Sequence, residues 1–292
     1  MAVFKGIIPP ALTTFDSSGK VDDKCYLNLI DFLSQKVHGL FVCGTYGSGP
    51  LMSVEERKHV TELAVEGAKG RVPVIAHIGG TNPDDIFELA KHAKEAGAVA
   101  VATVVPFYFS YSQADIIRFF AKLVEISSLP VFIYNNPKTT GVSIDIDTLK
   151  KLQAVGLYGI KDSSFDLLYF YSVKHNMDID KFCYITGTEA FIMPAVPLGA
   201  KAAICGLANA LPEPVVELYN ETSAGNYARA LELQVKVNQL RDVQHYAQSI
   251  PAIHAMLKMR GINSGYPRMP YSLVDDSIYT KMEKALIDKK AL

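Results

Sequence analysis

The chain has 292 residues, of which 49% are apolar and 20% charged, and its formal net charge is −1. That length suits one large α/β barrel of about 250 residues or two small domains, and that apolar share excludes a disordered chain. The near-neutral balance, with no Lys/Arg cluster longer than a pair, offers no field for nucleic acid or an anionic membrane. Cys25, Cys43, Cys183 and Cys205 lie singly in apolar stretches with no C-x-x-C pair, as buried free thiols of a reducing compartment do. The opening "MAVFKGIIPPALTTFD" lacks a charged segment followed by a long apolar core. No stretch approaches the roughly 20 apolar residues of a membrane span, so a soluble cytoplasmic protein is expected.

Strand-like apolar runs alternate with runs of helical spacing. "FKGIIPPAL" is followed by "DDKCYLNLIDFLSQKV", and "GLFVCGT" by "SVEERKHVTELAVEGAK", whose Ser53 and Glu56 have the spacing of a capping box. "VPVIAHIG" precedes "NPDDIFELAKHAKEAG", "AVAVATVVP" precedes "SQADIIRFFAKLVEIS", and "PVFIYNNP" precedes "DIDTLKKLQAV". "LYGIKDSS" then leads to "DLLYFYSVKH", "FCYITGT" to "EAFIMPAVPLG", and "AAICGLA" to "PEPVVELYNETSA". Three further helical stretches close the chain.

Eight strand–helix units with continuously apolar, Val- and Ile-rich strands predict a TIM (β/α)8 barrel of the α/β class, with a C-terminal helical extension. The barrel is expected over 1–224 and the extension, packed on it, over 225–292. A doubly wound open sheet is the alternative. It lacks support because no G-x-G-x-x-G follows the first strand, and "GTYGSG" (44–49) follows the second with the wrong spacing.

Active sites of such barrels lie at the C-terminal ends of the strands. Those ends carry Thr13 and Thr14, Thr45 and Tyr46, His77, Tyr108, Tyr134 and Asn135, Lys161 to Ser163, Thr188 and Glu189, and Gly206. The seven histidines form no H-x-H and no H-E-x-x-H, so no metal site is expected and His77 reads as a structural residue. Glu55, Glu56, Asp84 and Asp85 sit in first helical turns, where acids complement the helix dipole. Lys161 stands out. Desolvation lowers the pKa of a lysine, and a neutral amine attacks a ketone to form a Schiff base. Position alone also allows an ion pair with Asp162 or Glu189. The hydroxyl-bearing ends at Thr45, Tyr108 and Tyr134 favour the nucleophile, because imine formation needs proton transfers that phenols and hydroxyls relay.

These residues carry a resemblance that runs along essentially the whole chain. With "GTYGSGPLMSVEER" (44–57), "PFY" (106–108), "YNNP" (134–137), "GIKDSS" (159–164), "TGTEAF" (186–191) and "SGYPR" (264–268), the sequence resembles the class I pyruvate-dependent aldolases related to dihydrodipicolinate synthase and N-acetylneuraminate lyase. The resemblance implies that Lys161 is the Schiff-base lysine and Tyr134 the proton shuttle. It also implies that Thr45 links Tyr134 to Tyr108, a tyrosine that this family commonly contributes across a dimer interface. Ile204 and Gly206 would line the pyruvate end, with Tyr46, Ser163, Gly187 and Glu189 as further substrate-binding candidates. No cofactor beyond the covalent lysine adduct is implied.

The departures matter. Tyr46 replaces a second hydroxyl residue. Thr139 stands where dihydrodipicolinate synthases carry an arginine for the carboxylate of aspartate semialdehyde, and the adjacent Lys138 is a poor substitute for a bidentate guanidinium. "GTYGSGP" and "ALPEP" (210–214) look more like the archaeal-type 2-keto-3-deoxygluconate aldolase branch. The expected reaction is therefore reversible cleavage of 2-keto-3-deoxygluconate, a sugar acid, to pyruvate and the aldehyde glyceraldehyde. Dihydrodipicolinate synthase or N-acetylneuraminate lyase chemistry, and a non-catalytic pyruvate-binding regulator, are the alternatives. "FSYSQAD" (109–115) and "DVQHYAQSIPA" (242–252) hold no Arg or Lys, leaving Lys138, Arg241 and His245 as the nearby cations and predicting preference for the non-phosphorylated sugar. The aromatic cluster at 107–109 and 111 predicts a homotetramer built as a dimer of dimers.

Overall fold

The computed structural model describes residues 4–292; the first three residues of the N-terminal stretch read above lie outside the described residues. Eight short strands alternate with helices: β1 Gly6–Ile7, α1 Asp23–Ser34, β2 Leu40–Val42, α2 Val54–Ala68, β3 Val74–His77, α3 Pro83–Glu95, β4 Ala100–Val104 and α4 Gln113–Ile126. β5 Val131–Asn135 is followed by α5 Pro137–Thr140 and α6 Ile146–Ala154, then β6 Gly159–Asp162, α7 Leu167–Asn176, β7 Cys183–Thr186, α8 Ile192–Ala195, β8 Ala202–Ala203 and α9 Pro212–Ser223. The chain then runs through α10 Tyr227–Gln244, α11 Ser249–Met259 and α12 Asp276–Asp288.

All strands pair in parallel, in the order β1-β8-β7-β6-β5-β4-β3-β2. The ring closes just after β1. Pro9 and Pro10 lack N–H groups and cannot donate to a ladder, which limits β1 to two residues. Closure instead uses the carbonyl of Pro9, which accepts from Phe41 N at 3.0 Å, and the N–H of Ala11, which donates to Phe41 O at 2.9 Å.

The period-2 alternation of the strands divides the core in two. Phe41, Ile75, Ala100, Ala102, Val104, Phe132, Tyr134, Ile185, Ala202 and Ile204 fill the barrel interior. Val42, Val74, Val101, Val131, Ile133 and Ile160 face outward, into the layer beneath the helices. Cα register places Val104, Tyr134, Lys161 and Ile185 side by side on β4 to β7. Lys161 thus occupies an interior position that the pattern otherwise fills with apolar or aromatic groups.

The capping box of α2 is present. Ser53 Oγ accepts from Glu56 N at 3.2 Å, and Glu56 Oε2 accepts from Ser53 N at 2.8 Å. The stretch "EAFIMPAVPLG", read as one helix, is instead broken into a 3-10 turn (Glu189–Phe191), the single turn α8, and a second 3-10 turn (Val196–Leu198). Pro194 and Pro197 remove the donors a longer helix requires. Gln234 of α10 fills part of the gap by accepting from Met193 N at 3.0 Å. Ala230, Leu233, Val237, Leu240 and Val243 of α10 are buried in the same core layer as α9. Among the described residues, no helix is long and apolar enough to cross a membrane. All four cysteines are buried and free.

Candidate active site

A cavity of ≈ 300 Å³ opens at the C-terminal ends of the strands. Lys161 lies in its wall with only 4% of its surface exposed. Its Nζ stands 3.7 Å from the Tyr134 ring centroid and 4.2 Å from that of Phe41. Among the described residues, no carboxylate pairs with it within 4.0 Å. Burial pushes the amine below its ordinary value, against a smaller upward pull from Tyr134 and Cys205. A lysine so placed exposes more free amine at neutral pH than one in water.

Asp162 is not its partner. Neighbouring residues on a strand point to opposite faces, so Asp162 lies on the helix side of the sheet. There its carboxylate accepts from Asn135 Nδ2 (2.8 Å), Tyr184 OH (2.8 Å) and Ser164 Oγ (2.9 Å). Burial raises its pKa while these donors pull it back. The cluster braces the ends of β5, β6 and β7 around Lys161.

Tyr134 lies next to Lys161 on β5. Burial would raise its phenol, but the Lys161 charge and hydrogen bonds with Ser163, Thr45 and Lys161 outweigh it and leave the pKa below the ordinary value. Asn136 Nδ2 donates to the phenol oxygen at 3.2 Å. A phenol that releases its proton easily beside an amine that holds its proton weakly is suited to proton shuttling. Ser163 Oγ also approaches Gly187 O at 3.5 Å, and a Cβ on Gly187 would fall 2.0 Å from Ser163 Oγ and 2.6 Å from the Asp162 carbonyl oxygen, so glycine is required there. Gly206 is required for the same reason, since a Cβ would meet the Tyr46 ring at 2.2 Å.

The structure brings Thr45, Tyr46, Tyr134, Lys161, Ser163, Gly187, Glu189, Ile204 and Gly206 to this cavity. Tyr108 is not brought there. It is 87% exposed at φ +85, with its ring packed edge-on against Phe109 at 5.1 Å. A non-glycine residue in that region costs about 1–3 kcal/mol. His77 is structural, as its sequence context implies. Its Nδ1 lies 3.2 Å from Cys43 O, and burial together with the Arg57 and Lys161 charges holds it well below its ordinary pKa, hence neutral.

Glu189 is not a simple helix-capping acid. Its Oε1 lies 3.0 Å from Arg241 Nε in an ion pair whose acid is 5% exposed. Sequence reasoning missed the wall contributed by the extension. Gln244 Nε2 donates to Tyr46 OH at 2.7 Å, and Ser249 bonds the same hydroxyl. Burial, reinforced by the nearby Glu189 charge, pushes the Tyr46 phenol up to about 12. Gln244 lies 198 residues from Tyr46, and no local pattern signals such a contact. Asn136, Phe165 and Ser249 were likewise unmarked, although Asn136 lies within the quoted "YNNP". Lys138, Arg241 and His245, the candidates named from the sequence, all line the cavity. Among the described residues, no cluster of three or more His, Cys, Asp or Glu side chains could hold a metal.

A desolvated lysine beside a phenol held below its ordinary pKa, at the mouth of a parallel barrel, has the chemistry that Schiff-base formation needs. The chain belongs to the Dihydrodipicolinate synthetase family, which matches residues 3–289. This is a family of pyruvate-dependent class I aldolases and lyases that form the Schiff base on a lysine without an external cofactor. Among relatives, the 4-hydroxy-tetrahydrodipicolinate synthase of Desulfotalea psychrophila is 32% identical over 289 residues, covering 98% of this chain and 97% of its own. Among solved structures, the prophage protein YagE of E. coli K12 in complex with pyruvate superposes with a TM-score of 0.95 at 28% identity, over 100% of both chains. The KD(P)GA of T. tenax gives 0.90 at 27% identity, covering 98% of this chain and 99% of its own.

Proposed function

We propose that this protein reversibly cleaves 2-keto-3-deoxygluconate to pyruvate and glyceraldehyde. The observation that carries the reading is Lys161, buried with no carboxylate partner among the described residues and ringed by the hydroxyls of Tyr134, Thr45 and Ser163. The Lys161 amine adds to the C2 ketone, and the carbinolamine loses water to give a protonated imine. Tyr134 takes the C4 hydroxyl proton, the C3–C4 bond breaks, and its electron pair enters the imine as an enamine while glyceraldehyde leaves. Proton return to C3 and hydrolysis release pyruvate and restore the amine. We infer that Tyr108, which turns away from its own cavity, completes the relay of a neighbouring subunit in a homotetramer.

The choice of sugar acid is supported by position 139. Thr139 lines the cavity where a carboxylate-binding arginine would be needed for aspartate semialdehyde, and Arg241 is occupied by Glu189. The names of the curated relatives favour a second reading, condensation of pyruvate with aspartate semialdehyde. Incubation of pyruvate with a panel of aldehydes, followed by analysis of product and stereochemistry, separates the two. Faster turnover of aspartate semialdehyde than of glyceraldehyde would replace the first reading with the second. Borohydride reduction with pyruvate is expected to label Lys161 and to leave Lys161→Ala unlabelled. Labelling elsewhere, or none in the unaltered protein, removes the mechanism and leaves a non-catalytic binding role.

A further inference from the structure

The far wall of the cavity carries an arrangement that the chemistry at Lys161 does not use. Arg241, from the last turn of α10, is 26% exposed on the cavity surface, with its guanidinium 5.7 Å from the Phe165 ring. Taken alone it is a ready anchor for a phosphate or a second carboxylate on the substrate. It is not alone. Glu189 reaches it at 3.0 Å from a position held on three sides. The Glu189 backbone carbonyl accepts from Gln234 Nε2 at 3.0 Å, the Cys205 thiol bonds its carboxyl group, and Arg241 holds the remaining edge. Turning a carboxylate so enclosed away from Arg241 would leave a buried charge unpaired.

We propose that Glu189 sets the class of acceptor: by holding Arg241 in a buried ion pair, it makes the cavity select a neutral, hydroxylated aldehyde and reject one that bears an anionic group. An anion approaching Arg241 meets the Glu189 carboxylate at comparable distance, so attraction and repulsion nearly cancel. A hydroxylated chain fits the same pair well. The carboxylate accepts from one hydroxyl, and the free guanidinium N–H groups donate to the next. Apart from Lys161, the other lysine or arginine at the cavity, Lys138, is exposed, and so is His245, whose Nδ1 is turned toward its own helix, 2.7 Å from Arg241 O. Glu189 therefore acts on selectivity through Arg241.

This inference rests on the aldolase reading for its substrate, but its test does not need turnover. The probe is glycerol 3-phosphate, a non-reacting anionic analogue of the acceptor, with glycerol as the neutral control, titrated calorimetrically at one ionic strength. Glu189→Gln, which keeps the shape and removes the charge, is expected to bind glycerol 3-phosphate about tenfold more tightly than the unaltered protein. Glu189→Gln combined with Arg241→Gln is expected to return to the starting affinity. Arg241→Gln alone, which leaves the Glu189 carboxylate uncompensated, is expected to weaken it, and if Glu189→Gln does not fold the unaltered protein decides the matter, where glycerol 3-phosphate is expected to bind no more tightly than glycerol. A gain below threefold in Glu189→Gln, an undiminished gain in the double variant, or glycerol 3-phosphate bound more than threefold more tightly than glycerol by the unaltered protein overturns the proposal. The aldolase reading stands or falls separately, on borohydride trapping at Lys161 in the unaltered protein. If trapping succeeds, Glu189→Gln should also raise kcat/KM for glyceraldehyde 3-phosphate relative to glyceraldehyde.

Discussion

Lys161 and Tyr134 are neighbouring buried groups whose pKa values both lie below their ordinary values, Lys161 through burial and Tyr134 through the Lys161 charge and its hydrogen bonds, which outweigh its burial. The Tyr134 ring packs edge-on against His77 (5.8 Å) and Phe41 (6.2 Å), contacts that a phenylalanine retains. Tyr134→Phe is therefore expected to melt close to the unaltered protein while kcat falls about a hundredfold or more, the usual contribution of a positioned acid–base group. Near-normal turnover would place the proton on another residue. Lys161→Met is expected to abolish activity and to stabilise the fold by about 1–3 kcal/mol at neutral pH, because an apolar chain replaces a polar group in an apolar layer. The sign follows from the lowered folded-state pKa. In the range between that value and the ordinary 10.5, the unfolded chain binds a proton that the folded one does not, so the unaltered protein gains stability as pH rises. The advantage of Lys161→Met should accordingly shrink toward pH 10.5, as read by denaturant titration at several pH values. An advantage that grows with pH would contradict the desolvation argument.

Elements outside the barrel determine features of the site that the barrel alone leaves open. The broken segment 189–199 places Glu189 at the first residue of a 3-10 turn, where Gln234 of α10 can reach its carbonyl. The turn of α10 into α11 brings Arg241, His245 and Ser249 to the cavity together, with Gln244 behind them on the Tyr46 hydroxyl. α11 in turn is tied to the loop before α12 by His254, whose Nδ1 lies 3.0 Å from Ser264 Oγ. Burial pushes this histidine down to about 4. Its contribution is fully present above the ordinary 6.5 and is lost as pH falls toward 4, since only the unfolded chain takes up the proton in that window. His254→Asn should flatten the loss of stability between pH 6.5 and 4 by about 3 kcal/mol relative to the unaltered protein. Parallel pH profiles for the two proteins would show that the histidine does not titrate there.

At the scale of the whole molecule, the two most exposed aromatic side chains among the described residues lie where the predicted interface does. Tyr108 and Phe109 project at the end of β4, with Tyr108 in a backbone conformation that only surrounding contacts would maintain. Sedimentation is expected to show an oligomer. Tyr108→Asp combined with Phe109→Asp is expected to shift it toward smaller species, with loss of activity. A fully active monomer would contradict both the assembly and the proposed role of Tyr108 across the interface.

The eightfold alternation, the capping box at Ser53 and the pairing of Lys161 with Tyr134 were legible in the sequence alone, because each depends on periodicity or on residues close together along the chain. Asp162, left open from the sequence as a partner for Lys161, is excluded by the structure, where it faces the helix side and binds Asn135, Tyr184 and Ser164. The tertiary structure decided what depends on distant segments meeting: Arg241 on Glu189, Gln244 on Tyr46, and Tyr108 turned away from its own cavity. Charge–charge pairing is set by distance in space, and a sequence carries no direct measure of the separation between residues 189 and 241. The chemistry of the lysine could thus be read from one strand and its neighbour, whereas the selectivity of the cavity arises only where the helical extension folds back over the barrel.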